Sequence, residues 1–171
     1  MPAPLTPADL LRFAIPTDLA LTPSATRLAY AVTTQDAEED ARHSAIWLLD
    51  LAQPDAPARQ LTSGTHRDRS PQWSPDGAWL AFVSDRADGA QLWLLPADGG
   101  EPLRLTRMRH GASQPRWSPD GRSLLFLAEV RPDEDPIQPK DEDRAAREKQ
   151  EKRDATRLRH VTRLQYRWDG Y

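Results

Sequence analysis

The sequence predicts an all-β chain, a partial β-propeller of about three four-stranded blades, with a short N-terminal helix and a charged insert. Three observations predict it. A hairpin motif returns: Gln72-Trp73-Ser74-Pro75-Asp76-Gly77 is echoed by Pro115-Arg116-Trp117-Ser118-Pro119-Asp120-Gly121. Two independent landmarks share one period, since Trp73 to Trp117 and Leu61-Thr62 to Leu105-Thr106 are both 44 residues apart. The clearest period holds three short apolar runs separated by turn residues and reads as four short antiparallel strands, and four such strands in about 40–45 residues is the length of a propeller blade.

The unit is clearest over residues 70–106. Ser-Pro-Asp-Gly suits a type I turn, with Ser at the first position, Pro presetting φ at the second and Gly at the fourth. It joins a strand ending at Trp73 to a strand over 78–84. There Leu80 and Phe82 share one face, and Trp79, Ala81 and Val83 the other. Both faces are apolar, which predicts a strand buried on both sides, in a layer between layers. Asp88-Gly89 signals a hairpin into a strand over 91–95, and 97–100 a turn into a last strand over 102–106.

The remaining elements follow from the chain's beginning. Thr6 as N-cap, Pro7 at the first helical position and Asp9 in the first turn predict a helix ending near Phe13. Residues 1–20 are then helix and lead-in, and 21–171 the propeller, with blades at about 21–62, 70–106 and 114–171. The first blade matches the others position by position over 22–32, so that Leu28, Leu80 and Leu124 align, as do Tyr30, Phe82 and Phe126. It has lost the Asp-Gly of its turn. Residues 35–44 (QDAEEDARHS) read as a solvated acidic loop between its second and third strands. Residues 63–69 and 107–113 link the blades and carry His66 and His110 at equivalent places.

Residues 131–159 interrupt the third blade. Pro132, Pro136 and Pro139 make an irregular start, and helix formers with opposite charges at helical spacing, such as Asp143/Arg147 and Glu148/Lys152, follow. Nine acidic and nine basic residues with almost no apolar periodicity predict an exposed helical excursion or a disordered charged loop. Leu164, Tyr166 and Trp168 alternate with polar residues as a resumed strand, and Asp169-Gly170 signals a hairpin whose return strand is missing.

Composition narrows the chemistry. A net charge of −3 implies no general attraction to nucleic acid or anionic membrane. Absence of cysteine excludes disulfides, thiol catalysis and cysteine metal sites. No apolar run approaches the roughly 20 residues of a membrane span, and no secretory signal is apparent, so a cytoplasmic setting is expected. There is no G-x-S-x-G elbow, no phosphate loop and no H-E-x-x-H helix. His43, His66, His110 and His160 have no Ser or Asp partner readable from sequence, and the pairs Glu38/Glu39 and Asp133/Asp135 sit in charged loops. The sequence therefore predicts no catalytic residue, no cofactor and no metal site in this chain.

The W-S-P-D-G-x-x-L-x-F hairpin, the segment S-D-R-x-D-G-x-x-L-W-L-L-P-x-D-G-G-E-P-x-R-L-T and the R-W-D-G at 167–170 together resemble the N-terminal propeller of the prolyl-oligopeptidase family of serine peptidases. The acylaminoacyl-peptidase-like branch is the most similar, over nearly the whole chain. TolB-type propellers share the blade motif alone. The resemblance implies a propeller, usually of seven blades, that covers an α/β-hydrolase domain with a Ser-Asp-His triad and limits access to short or N-acylated peptides. None of the triad positions lies in this sequence, so the resemblance assigns no activity to these residues. The alternative is a TolB-like interaction module with no peptidase role. Three blades alone leave two open apolar faces, which predicts self-association, a partner such as the hydrolase domain, or marginal stability.

Overall fold

The computed structural model describes Thr6, Asp9, residues 13–36, 41–53 and 55–138, and the backbone of 164–167. Among the described residues eleven strands form three antiparallel sheets, each a meander. The first contains β1 (Ile15–Leu21), β2 (Arg27–Asp36), β3 (Ala41–Asp50) and β4 (Arg59–Gln60). The second contains β5 (Arg69–Trp73), β6 (Trp79–Ala87), β7 (Gly89–Pro96) and β8 (Leu103–Arg104). The third contains β9 (Ala112–Trp117), β10 (Ser123–Ala128) and β11 (Leu164–Arg167), so the described part of this blade has three strands.

The sheets stack as the apolar pattern of β6 requires. One core lies between the first two blades, where Ala29, Ala31, Ile46 and Leu48 meet Trp73, Leu80, Phe82 and Leu95. A second lies between blades two and three, where Ala81, Val83, Leu92 and Leu94 meet Met108, Ala112, Leu124 and Phe126. The alternating residues of β6 thus serve two different cores, and Leu80, Ala81 and Phe82 are all fully buried.

Both sequence landmarks have a physical cause. Beyond each short outer strand a threonine hydroxyl takes over the ladder: Thr62 Oγ1 accepts the Ile46 N–H at 2.9 Å, and Thr106 Oγ1 accepts the Leu92 N–H at 2.9 Å. The expected strand over 102–106 is accordingly shortened to Leu103–Arg104. The Ser-Pro-Asp-Gly turns close as expected. Gly77 N–H donates to the Ser74 carbonyl at 2.9 Å and Gly121 N–H to the Ser118 carbonyl at 3.0 Å. The Ser74 hydroxyl and the Ala78 N–H hold the Asp76 carboxyl below its usual range, and Ser118 with the Arg122 N–H does the same for Asp120.

The first blade makes the same turn from different residues. Thr22 stands for the serine, and its Oγ1 accepts the Arg27 N–H at 3.1 Å. Ala25 stands where Gly77 and Gly121 do and takes their left-handed conformation, with φ of 53° against 70° and 69°. A Cβ is disfavoured there by about 1–2 kcal/mol. Ala25→Gly is therefore expected to stabilise the chain by about 1 kcal/mol, net of glycine's extra unfolded-state freedom, and to raise the thermal midpoint by about 2–4 °C. An unchanged or lowered midpoint in differential scanning fluorimetry would show that the turn carries no such strain.

Several expected boundaries move. Residues 15–20, expected as lead-in, form most of β1, which pairs with β2 through Ala20↔Ala29 and Leu21↔Leu28. Blade one thus begins at Ile15. The acidic loop at 35–44 is largely hairpin. The β2–β3 ladder runs unbroken to Asp36↔Ala41, with Arg42 Nε donating to Gln35 Oε1 at 3.3 Å, and only 37–40 lie outside the described residues. Of the N-terminal helix, Thr6 and Asp9 are described. The Asp9 N–H donates to the Thr6 carbonyl at 3.0 Å, and its carboxylate accepts the Thr6 N–H at 2.8 Å. The insert beyond Gln138 lies outside the described residues.

Candidate functional site

The innermost strands β1, β5 and β9 lie side by side and form one wall. Each carries an irregularity in its register at the same repeat position, where Asp18, Ser70 and Gln114 have φ of 53°, 52° and 52°. Asp18 and Ser70 are 52 residues apart, Ser70 and Gln114 44, the same offsets that align the hairpins. Bulges of this kind re-aim side chains and recur at functional sites. Here they turn polar groups onto a cleft of about 150 Å³ lined by Asp18, Ser70, Gln72, Gln114 and Arg116. Asp18 Oδ2 accepts the Ser70 N–H at 2.8 Å, so the bulge of one blade caps that of the next.

A second cleft, of about 250 Å³, opens where the links enter the inner strands. Arg69, His110, Ser113 and Glu129 line it, together with the small residues Ala90 and Gly111. A Cβ on Gly111 would come within 3.0 Å of the Ala90 carbonyl oxygen, which keeps the link pressed to the β6–β7 hairpin.

The links themselves are stitched to the blades. Ser44 N–H donates to the His66 carbonyl at 2.8 Å, and the Ser44 hydroxyl to the Asp68 carbonyl at 2.7 Å. The fully buried Asp68 carboxylate accepts from Arg86 Nη2 at 2.8 and 2.7 Å, while Arg86 Nε donates to Ser84 Oγ at 2.9 Å. The guanidinium also lies 5.2 Å from the ring centroids of both Phe82 and Trp93. All of its polar and aromatic contacts are internal, so the group orders the link and leaves little charge for a ligand.

Residues 131–138, expected as the irregular start of a solvated insert, form a strap along the second link. Arg109 N–H donates to the Pro136 carbonyl at 2.9 Å and Gln138 N–H to the Arg107 carbonyl at 2.6 Å. Gln138 also receives a bond from Arg104 Nη2 at 3.0 Å and donates to the Asp88 carbonyl at 3.2 Å. Glu134 Oε2 lies 2.6 Å from His110 Nε2, with Arg109 3.7 Å from its other oxygen. The His110 ring, with the Arg109 and Arg131 charges behind it, holds the Glu134 carboxyl below its ordinary range against a smaller opposing effect of burial.

A depressed carboxyl contributes stability that is present above its unfolded value, about 4.3, and lost as pH falls through the folded one. Glu134→Gln is therefore expected to cost less than about 1 kcal/mol near neutral pH, because the pair is part-exposed. That cost shrinks below about pH 4 as wild type loses the same interaction. Urea midpoints of both proteins between about pH 5 and pH 3 check it, and a gap that widens over that interval would contradict it.

The sequence-singled residues are thus dispersed. His66 engages its neighbour through its carbonyl while His110 pairs with Glu134, so the two equivalent histidines do not share a role. His43 lies on β3, and Asp135 accepts the Ile137 N–H at 3.0 Å. Glu38, Glu39 and His160 lie outside the described residues. Among the described residues no three His, Cys, Asp or Glu gather as a metal site would require. The Asp68–Arg86 pair and the Asp18/Ser70/Gln114 series were not singled out from the sequence. Extending the two repeat offsets backwards from the hairpins finds the series.

The family of the TolB beta propeller domain matches residues 17–148. The chain is 37% identical over 103 residues to the uncharacterized peptidase YuxL of Bacillus subtilis, covering 60% of this chain and 15% of that protein. Its fold is similar to that of the acylaminoacyl peptidase of Pyrococcus horikoshii, with a TM-score of 0.60 at 21% identity, over 78% of this chain and 20% of that one. It is also similar to a putative TolB from Agrobacterium tumefaciens, with a TM-score of 0.54 at 25% identity, over 67% of this chain and 38% of that one. The chain therefore spans a minor part of the length of each.

Proposed function

Since the chain belongs to the TolB beta propeller domain family, we propose that it is the non-catalytic propeller segment of an acylaminoacyl-peptidase-like serine peptidase, working in the cytoplasm. Its inner wall limits which peptides reach an α/β-hydrolase domain. The observation that carries this reading is the 37% identity over 103 residues to the uncharacterized peptidase YuxL. The wall supports it: inner strands that present Asp18, Gln72, Gln114 and Arg116 to a narrow cleft offer a short, extended peptide polar contacts along its backbone. A folded substrate is excluded by size. In the second reading, favoured by the similarity to the putative TolB, the same wall is an interaction surface with no hydrolase behind it.

One experiment separates them. An antibody against residues 70–106 precipitates the native polypeptide from fresh source cells, and the precipitate is treated with a fluorophosphonate that labels activated serines. Under the proposal a labelled band is recovered, and N-acetylated peptide p-nitroanilides are hydrolysed. A precipitate that contains the chain but neither labels nor hydrolyses would overturn the peptidase reading and leave the interaction module.

A further inference from the structure

The inner wall carries its own example of what a bulge binds. In β5 the register passes over Ser70, between Arg69↔Val83 and Gln72↔Ala81, and the Ser70 N–H turns instead to the Asp18 carboxylate of the blade before, at 2.8 Å. In β9 the register passes over Gln114 in the same way, between Ser113↔Leu127 and Arg116↔Leu125. The backbone is the same too, with φ of 52° at both residues. By the repeat, the Gln114 N–H faces β5 as the Ser70 N–H faces β1. The blade before now offers Ser70 in the place of Asp18, and a serine ends short of where an aspartate carboxylate ends. Among the described residues no side chain accepts the Gln114 N–H, and the Ser70 hydroxyl has no partner of its own.

A second exchange goes with the first. Arg116 stands where blade two has Gln72, 44 residues earlier. Its exposed side chain lines the cleft of about 150 Å³ together with Ser70 and Gln114, and it has no ion-pair partner among the described residues. Where the repeat loses its internal carboxylate it thus gains a cation, and the donors that remain are a backbone N–H, a hydroxyl and a guanidinium. We propose that Gln114 N–H, the Ser70 hydroxyl and Arg116 form a carboxylate subsite on the inner wall, which takes the C-terminal carboxylate or an acidic side chain of an extended peptide. Charge-assisted bonds from N–H groups and arginine suit that group.

Asp18 lines the same cleft, and its own charge is turned to the Ser70 N–H. It repels a doubly charged phosphate more than a carboxylate, which narrows the anion. The subsite rests on the reading of the wall as a peptide-binding surface, with or without a hydrolase behind it.

Short peptides with an uncharged fluorescent label test it by fluorescence anisotropy. They are presented to the native polypeptide purified from source cells and blocked with the fluorophosphonate, and to its tagged variants. One neutral sequence is made in three forms: amidated, with a free C-terminus, and amidated with a central glutamate. At least one carboxylate form is expected to bind about tenfold more tightly than the neutral one, and whichever gains names the source of the carboxylate. Arg116→Gln, which installs the residue blade two carries there, should abolish the advantage and leave the neutral form unchanged. Arg69→Gln, equally exposed but lining the other cleft, should preserve it. Unchanged binding of the neutral form shows that each variant is folded. Equal binding of all three forms, or an advantage that survives Arg116→Gln, would overturn the subsite and leave the peptide-binding wall standing. An equal loss from Arg69→Gln would replace the subsite with a general attraction. Binding of no form would overturn the wall reading and the subsite with it.

Discussion

Asp68→Ala is expected to destabilise the chain by about 3 kcal/mol, near the lower end of what breaking a buried ion pair costs, because Arg86 keeps a narrow route to water. The aspartate is fully buried and the arginine side chain 15% exposed, so removal of the carboxylate strands a guanidinium between Phe82 and Trp93. The third blade shows what the repeat does without the pair. At the equivalent places stand Ala112 and Val130, both packed in the second core. Asp68→Ala combined with Arg86→Val should therefore recover more than half of the loss, since apolar replacement of a whole buried pair is often neutral or better. A double-mutant cycle on urea midpoints reads the coupling, and single effects that add within about 0.5 kcal/mol would show that the pair does not act as a unit.

Phe82→Ala should cost about 3–5 kcal/mol, the usual range for emptying a large aromatic site in a close-packed core. Phe82 is fully buried between β6 and the first blade and also lies under Arg86. Tyr30 occupies the same repeat position in blade one, but its face looks away from blade two and is only half-buried. Tyr30→Ala should cost less than half as much in this chain, because the area returned to water is smaller. The comparison holds motif and secondary structure fixed and varies only the neighbour. Equal losses in chemical denaturation would mean that the face bearing Tyr30 is covered in solution.

These two pairs also show what the sequence made legible. The period, the hairpin turns and the double-sided burial of β6 could be read because each depends on local residues: Ser-Pro-Asp-Gly for the turn, alternating apolar side chains for the strand. Strand β1 escaped because its Leu19-Ala20-Leu21 replaces the Pro-x-Trp of 71–73 and 115–117, leaving no mark of the repeat. The hairpin at 35–44 escaped because its charges imitate a loop, while cross-strand pairing such as Gln35 with Arg42 holds it extended. The strap escaped for a related reason. Glu134 and Gln138 find their partners on residues 104–110 and at Asp88, and nothing in the order of the chain announces contacts at those separations. The Asp68–Arg86 pair is of the same kind, made across a blade by residues 18 apart.

The two-residue outer strands β4 and β8 bear on how the chain meets other chains. A sheet edge with a long row of free N–H and C=O groups recruits foreign strands and seeds aggregates. Here Thr62 and Thr106 end the ladder with a hydroxyl after two residues, and on the opposite margin the left-handed residues at 18, 70 and 114 break the row. Both margins of the two complete blades are thereby denied to edge-to-edge growth. The apolar faces, whose side-chain pattern selects its mate, are left as the place where assembly happens.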